Sequence, residues 1–484
     1  MTNGTKRTVK DTKQTPGSLT TNTFWCLIGM LRLYAVQGRA PFLRRMKIVL
    51  IIKAILEAVG GLTGLFLLFI LIYQLAVGVF GFRKKTKDYA DHDPEARFLA
   101  LIPAHNEEKV IEDIIRNLQQ MDYPEELYDF YIIADNCTDH TAEVARNLGA
   151  KVIETCKDSP DAPTGKPIAL SKALRTLGDY QNRYDLLMIF DADNLMDTNM
   201  FREVNSQYLD KGKPDFIQCY LGMKNKEGAI AWIDYTGFTL SNRFFQLAKH
   251  RLGLNCGIGG TGFAMSTKYL HERGGWTTRS LTEDFEIQVE ATLEGRKILW
   301  NHNTRVYDEK PTKFKASLRQ KNRWGQGRWY VTFHETGNLF RSFFGGKVSV
   351  WEFLSVLTHM YNGSLYVLAI IQSLCQGLVC LIDPSKELFH FSWVGLVYSV
   401  ALFTYGFFFL FYYADRVDNK IPFSVKTLPV MVASYLINIV IGLCSQIYGL
   451  LHWKDQAHWA KTEHGIAGKP AEVSQASALQ RKVA

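Results

Sequence analysis

The chain is 484 residues long, 47% apolar, with a net charge of +9 and eight cysteines. Its length exceeds one ordinary domain. A modest basic excess with no nucleic-acid motif argues against a nucleic-acid binder and leaves a membrane surface or a phosphate-bearing ligand as partner. The cysteines form no CxxC pair and no regular framework, so reduced thiols are expected.

Residues 1–20 are polar, basic and Thr-rich, a composition expected to stay disordered. Residues 21–47 alternate apolar clusters with Arg32, Arg39, Arg44, Arg45 and Lys47, which suits an amphipathic segment on a membrane surface. The first apolar run begins too late for a cleavable signal peptide and lacks a small-residue cleavage site. Within 48–83, the stretch from Ala58 to Phe82 has no charged residue and is long enough to span a bilayer. Arg83-Lys84-Lys85 ends it.

Within a domain expected over 84–340, residues 96–340 alternate strand and helix signals, as in an α/β sheet with crossover helices. Strands are expected over Phe98–Pro103, Phe130–Ala134, Lys151–Glu154 and Leu186–Phe190. Asn106 is the expected N-cap of the helix after the first strand. Gly165-Lys166 opens another helix. Residues 341–452 turn apolar again, with an interface helix and spans near 359–382, 392–413 and 428–452. Arg416, Lys420 and Lys426 place the loop 415–427 in the cytoplasm by the positive-inside rule, and 83–350 with it. The same count leaves the N-terminus and the tail 453–484 outside.

Asp191-Ala192-Asp193-Asn194 follows the apolar run Leu186–Phe190. Two carboxylates just past a buried parallel strand sit where open α/β sheets bind ligands, and hard oxygen donors there suit a cation that carries phosphates. Asp135 ends the second strand at the same sheet edge, though an Asp in such a loop also simply favours a turn. Lys166 at a helix start suits an anion, although the glycine spacing of a P-loop is missing. Thr282-Glu283-Asp284 precedes a helix and offers a cap or a general base. Gln320-Lys321-Asn322-Arg323-Trp324 lies in a basic helical stretch. Its Arg can clamp a diphosphate and its Trp can floor a sugar ring; alternatively both can sit at a membrane interface.

In this order, with Pro103-Ala104-His105-Asn106-Glu107 and Gly165-Lys166-Pro167-Ile168-Ala169-Leu170, these motifs resemble the processive family 2 glycosyltransferases. That group includes cellulose, chitin, hyaluronan and poly-N-acetylglucosamine synthases. The resemblance covers about residues 97–330. It implies an α/β GT-A (Rossmann-like) domain flanked by transmembrane helices, a UDP-sugar donor, and Mg²⁺ or Mn²⁺. By the same resemblance Asp135, Asn106 and Glu107 hold the uridine, and Lys166, Asp191, Gln320 and Arg323 serve the diphosphate. Asp193, with Asp191, binds the metal. Asp284 is the base, and Trp324, Glu283, Gly260 and Thr261 face the acceptor. The tail Trp459-Ala460-Lys461-Thr462-Glu463-His464 resembles a segment that closes over the donor. It would then be cytoplasmic, against the charge count.

The implied activity is polymerisation of a UDP-sugar, glucose favoured over N-acetylglucosamine or another hexose, into a β-linked polysaccharide at the plasma membrane. The growing polymer, the bilayer and accessory export proteins are its expected partners. Three rivals stand beside it. Gly257-Ile258-Gly259-Gly260-Thr261-Gly262 matches the dinucleotide-binding G-x-G-x-x-G, but it comes late and runs into a strand-like Phe263-Ala264-Met265. A transporter would need more spans and more intramembrane charge. Transfer of a single sugar to a lipid is the third, and the Gln-x-x-Arg-Trp motif weighs against it.

Overall fold

The computed structural model describes residues 40–159, 164–226, 228–383 and 406–456. The Thr-rich N-terminus, most of the amphipathic segment, part of the span expected over 392–413 and the Trp459–His464 motif lie outside the described residues. The chain divides into a smaller unit, 1–64 with 371–393, and a larger one, 65–370 with 394–484. Within the smaller unit, Lys53 Nζ donates to the Asp383 carboxylate at 2.6 Å.

Helix α1 (Ala40–Gly78) starts well before Ala58, because the Leu-, Ile- and Ala-rich run through Lys53 and Glu57 offers no breaker after Pro41. Among the described residues three stretches are long and apolar enough to cross a membrane: Arg44–Phe82, Val350–Ile382 and Val425–His452.

Among the described residues the larger unit is built on one eight-stranded sheet. Its strands are β1 (Phe98–Ala104), β2 (Tyr128–Asp135), β3 (Lys151–Thr155), β4 (Leu186–Ile189), β5 (Leu195–Met196), β6 (Phe216–Met223), β7 (Phe263–Ser266) and β8 (Ile298–Asp308). They lie in the order β3-β2-β1-β4-β7-β6-β8-β5. The sheet is mixed rather than all parallel. β7 runs antiparallel to both β4 and β6, and β5 runs antiparallel to β8. β1, β2, β3, β4, β6 and β8 therefore share one direction. Alternation explains why the apolar runs form strands: Phe98, Ala100 and Ile102 enter the core on one face, and Leu99 and Leu101 enter the other.

The helices that matter for the site are α2 (Ile111–Leu118), α3 (Lys166–Leu177), α4 (Gly228–Leu240, continuing as a π-helical segment Ser241–Leu247), α5 (Glu283–Leu293), α6 (Phe314–Phe344), α7 (Val350–Met360), α8 (Ser364–Ile382) and α9 (Leu428–His452). Asn106 does not cap α2. Its φ is +57° and the helix begins at Ile111. Asn is among the few residues that tolerate this left-handed region.

α6 packs on α9 with almost no clearance. A Cβ on Gly325 would lie 2.5 Å from the Ser445 carbonyl oxygen, and one on Gly449 would lie 2.7 Å from that of Gly325. Past α9, Gln456 accepts a hydrogen bond from the Leu281 backbone N–H at 2.7 Å, and the Asp455 carbonyl accepts from Gln326 at 3.3 Å. The chain up to residue 456 thus stays beside the loop that precedes α5. The charge count put the tail after 453 on the side opposite 83–350; residues 455 and 456 instead lie against Gln326 and Leu281.

A buried ionic knot ties the end of the helix over 406–418 to the sheet and to the π-helical segment. Asp418 binds Arg243, receives His302 Nε2 at 3.0 Å, and lends its carbonyl to Arg305 at 2.6 Å. Burial alone would raise the Asp418 carboxyl, but His302, Arg243 and Arg305 outweigh it and hold it below its ordinary range. Asp418→Ala would leave Arg243 without its ion-pair partner in a site of 0% side-chain exposure. A loss of about 3–5 kcal/mol is expected, read as a lower unfolding midpoint in detergent; an unchanged midpoint would refute the role. Because the pKa is depressed, this stabilisation is lost as pH falls through the folded value.

Candidate active site

The shared strand direction brings the carboxyl ends of β2, β4 and β8 to one sheet edge, the edge at which open α/β sheets bind ligands. A cavity of about 950 Å³ opens there. Glu107, Asp135, Lys166, Asp191, Asp193, Gly260, Thr261, Glu283, Asp284, Gln320, Arg323 and Trp324 all line it. Asn106 does not. Instead its Oδ1 accepts from the Thr138 N–H at 2.7 Å and pins the loop after β2 to the loop after β1.

At one end Asp135 is fixed by Thr155 Oγ1 at 2.7 Å and Asn136 Nδ2 at 2.9 Å. Its carboxylate is thereby oriented for a polar ligand before one arrives. In the middle, Lys166 at the first position of α3 donates to Asp191 Oδ1 and to the Gly260 carbonyl, both at 2.6 Å. Burial opposes its charge, but Asp191 and Glu283 outweigh burial and raise its pKa, so it stays an ammonium. Gly260 has φ +76°, and a Cβ there would lie 3.1 Å from Asp284 Oδ2. Only glycine fits the turn and leaves that carboxylate room. Thr261 spends its hydroxyl on Asn194, which braces the Asp191–Asn194 turn.

The 257–262 loop precedes β7, which runs antiparallel to β4, and it opens no helix. Gln246, Gln288 and Gln218 hold its backbone N–H groups at Gly257, Ile258 and Gly259. It lacks the strand-turn-helix setting of a dinucleotide fingerprint.

Among the described residues no three His, Cys, Asp or Glu side chains gather closely enough to hold a metal ion by themselves. The donor set does suit a cation bound jointly with substrate phosphates. Such ions take one or two carboxylates and complete their shell with phosphate and water. Asp193 is 4% exposed and Asp191 is bonded through Oδ1 to Lys166. A third carboxylate stands near: Asp308, at the end of β8, bound to Lys310. Burial pushes Asp308 up to about 7; Lys310 opposes this, while Asp193 and Asp191 add to it.

The wall opposite comes from α5 and α6. Glu283 Oε1 lies 3.9 Å from Lys166 Nζ. Burial, reinforced by Asp284, pushes Glu283 up to about 7 against Lys166 and Arg323. Burial likewise raises Asp284, opposed by the Phe285 N–H, Lys166, Arg328 and Arg323. A raised carboxyl in a cavity is the state expected of a proton acceptor near neutral pH. Arg323 Nη1 donates to the Leu281 carbonyl at 3.3 Å, and Lys321 Nζ lies 5.2 Å from the centre of the Trp324 ring. At Gly327 a Cβ would come 2.7 Å from the Thr282 nitrogen, so α6 presses directly on the Thr282-Glu283-Asp284 turn.

Residues 94–327 match the family model described as "Glycosyltransferase like family 2". This region is a family 2 glycosyltransferase domain. The chain is 25% identical over 263 residues to the probable glycosyltransferase YdaM of Bacillus subtilis (strain 168), covering 50% of this chain and 57% of that protein. It is 27% identical over 242 residues to the beta-monoglucosyldiacylglycerol synthase of Synechocystis sp., 48% of each. It spans about half the length of the curated relatives it matches. The mannosyltransferase PcManGT from Pyrobaculum calidifontis, solved with GDP-Man and Mn²⁺, superposes with a TM-score of 0.56 at 15% identity, over 83% of this chain and 99% of that one. That likeness is one of fold: the family 2 domain is a GT-A, Rossmann-like α/β domain with a mixed sheet.

Sequence reasoning missed several residues that line the same cavity: Asp308, Lys310, Gln246, Arg328 and His359. A signal existed for Asp308, an acidic residue at the carboxyl end of a strand, as Asp135 is. It was hidden because β8 reads Trp-Asn-His-Asn-Thr-Arg and looks like a loop.

Proposed function

We propose that this chain is a membrane-embedded inverting glycosyltransferase that extends a β-linked polysaccharide from a UDP-sugar, with glucose the favoured donor. One observation carries the reading: Trp324 and Asp284 line the same cavity as Lys166, Asp191 and Asp193. A floor for an acceptor sugar, a base and a cluster for a diphosphate thus share one space. The transmembrane stretches would hold this domain on the cytoplasmic side of the plasma membrane, beside the growing polymer and any export partner.

Chemically, the acceptor hydroxyl attacks the anomeric carbon of an α-linked donor while the bond from that carbon to the diphosphate oxygen breaks. A single in-line displacement yields the β linkage. Asp284 takes the hydroxyl proton, and UDP departs with the bonding electron pair. Lys166 and Arg323 meet the negative charge that grows on the leaving diphosphate. A bound Mg²⁺ or Mn²⁺, held by Asp191 and Asp193, would supply further positive charge there. Asp135 and Glu107 orient the nucleoside.

Relatives that are beta-monoglucosyldiacylglycerol synthases favour a second reading, transfer of one sugar to a lipid. Purified protein given UDP-glucose, UDP-N-acetylglucosamine and GDP-mannose in turn separates the two. Water-soluble or insoluble polymer supports the first, a single organic-extractable glycolipid the second, and no transfer from any donor refutes both. Trp324→Ala sharpens the test. Losing the stacking face is expected to cut polymer formation about a hundredfold through acceptor misplacement, with UDP affinity unchanged by calorimetry. Polymer of normal length at a normal rate would reduce Trp324 to an interfacial anchor.

A further inference from the structure

The face of α6 that carries Gln320 and Trp324 continues to Arg328, because residues four apart on a helix lie one above another. Arg328 lines the cavity with them, as does His359 near the end of α7. The chemistry above uses neither. The Arg328 guanidinium lies 4.7 Å from the centre of the Phe285 ring, next to Asp284 in the chain, and its Nη1 donates to the His359 carbonyl at 3.4 Å. The His359 ring stands between Phe245 and Phe285, with centroids 5.1 and 5.2 Å away.

The proton positions follow from the neighbours. Gln288 Oε1 accepts from the Ile258 N–H at 3.2 Å, which sets the amide orientation. Gln288 Nε2 then faces His359 Nδ1 at 2.9 Å. An amide nitrogen only donates, so Nδ1 accepts and a neutral ring carries its proton on Nε2, a tautomer assigned from this network. That Nε2 lies 3.5 Å from Arg328 Nη2. Both are donors, and neither can satisfy the other. Two N–H groups this close on a cavity wall converge on the place of one acceptor oxygen.

We propose that Arg328 and His359 form an acceptor subsite that takes a hydroxyl oxygen of the sugar unit next to the one stacked on Trp324. It rests on the polymerase reading above. One helical turn advances about 5.4 Å, close to the length of one pyranose unit, so the step from Trp324 to Arg328 matches the step along a sugar chain. A neutral sugar fits better than an acidic one. Asp284 already offsets the Arg328 charge, and a second anion would sit beside the base.

The test is binding of β-linked glucose oligomers, one to four units long, to the purified full chain, with transfer measured on the same samples. Wild type is expected to bind the dimer more tightly than the monomer. Arg328→Lys keeps the charge but loses the fork, and His359→Phe keeps the ring sandwich but loses the donor. Each is expected to weaken dimer binding about 10- to 100-fold, the worth of a hydrogen bond to or beside a charged group, while leaving monomer and UDP binding unchanged. If Arg328→Lys misfolds, His359→Phe decides alone. An unchanged gain with oligomer length, or an equal loss of UDP and monomer binding in the folded variants, overturns the subsite. Tighter binding of glucuronate oligomers overturns the neutral-sugar assignment. No transfer from any nucleotide sugar, with length-dependent binding intact, overturns the polymerase reading and leaves the subsite standing.

Discussion

Asp284→Asn is expected to bind UDP-sugar as the native chain does and to turn it over about 10²- to 10⁴-fold more slowly. The amide keeps the size of the carboxyl and its acceptor oxygen for the Phe285 N–H, but it cannot take a proton. The cavity wall at Gly260 should therefore stay in place. Near-normal synthesis by this variant would remove Asp284 from the chemistry. Two further readouts separate a catalytic role from a structural one. A base works only when ionised, and burial raises Asp284 while its neighbour Glu283 is pushed up to about 7. Activity should thus fall with decreasing pH already above the range of a free aspartate. Stability runs the other way. A carboxyl whose folded pKa is raised contributes stability that is full below its unfolded pKa and lost as pH rises through the folded value. At neutral pH Asp284→Asn should consequently melt no lower than wild type.

The second large effect is expected at Asp193. Asp193→Ala should lower kcat/KM by roughly a hundredfold or more, the worth of several kcal/mol of leaving-group stabilisation. Excess EDTA should silence the native chain, and added Mg²⁺ or Mn²⁺ should restore it. The variant should respond weakly to either. Lys166 and Asp135 remain, so residual UDP affinity should persist by calorimetry. Full activity of the native chain in EDTA would refute the assignment of Asp191 and Asp193 to a cation.

The parts of the fold that could be read from sequence were those whose physics is local. β1 and β4 are continuous apolar runs buried on both faces, and no exposed helix tolerates that pattern. Asp191 lies just past the end of β4 and Asp135 ends β2; both line the cavity, as does Lys166 at the start of α3. β8 was invisible because its polar residues are buried against partners far along the chain: Asn301 on Tyr89 and His302 on Asp418. The reversal at β7 was equally hidden, since a four-residue strand carries no sign of its direction. Asn106 went to a left-handed turn because a neighbouring loop, not its own helix, needed its side chain. The Arg328 and His359 pairing depends on two helices meeting, which no spacing within one segment reports.

The glycine contacts of α6 have a mechanical meaning. At Gly325 it touches α9 backbone to backbone, and two residues on, at Gly327, it touches Thr282, two positions before Asp284. α6 offers no side chain at either point, and at Gly327 both the backbone nitrogen and the short side chain of Thr282 press against it. α9 belongs to a stretch apolar enough to cross a bilayer, and lipid thickness sets where such a helix rides. In the proposed mechanism a vertical displacement of α9 would be passed to the Asp284 turn, while Asp135, held by Thr155 of the outermost strand β3, would be left behind. With the chain embedded in a membrane as proposed, lipid thickness is expected to register in the rate of transfer and hardly at all in donor affinity.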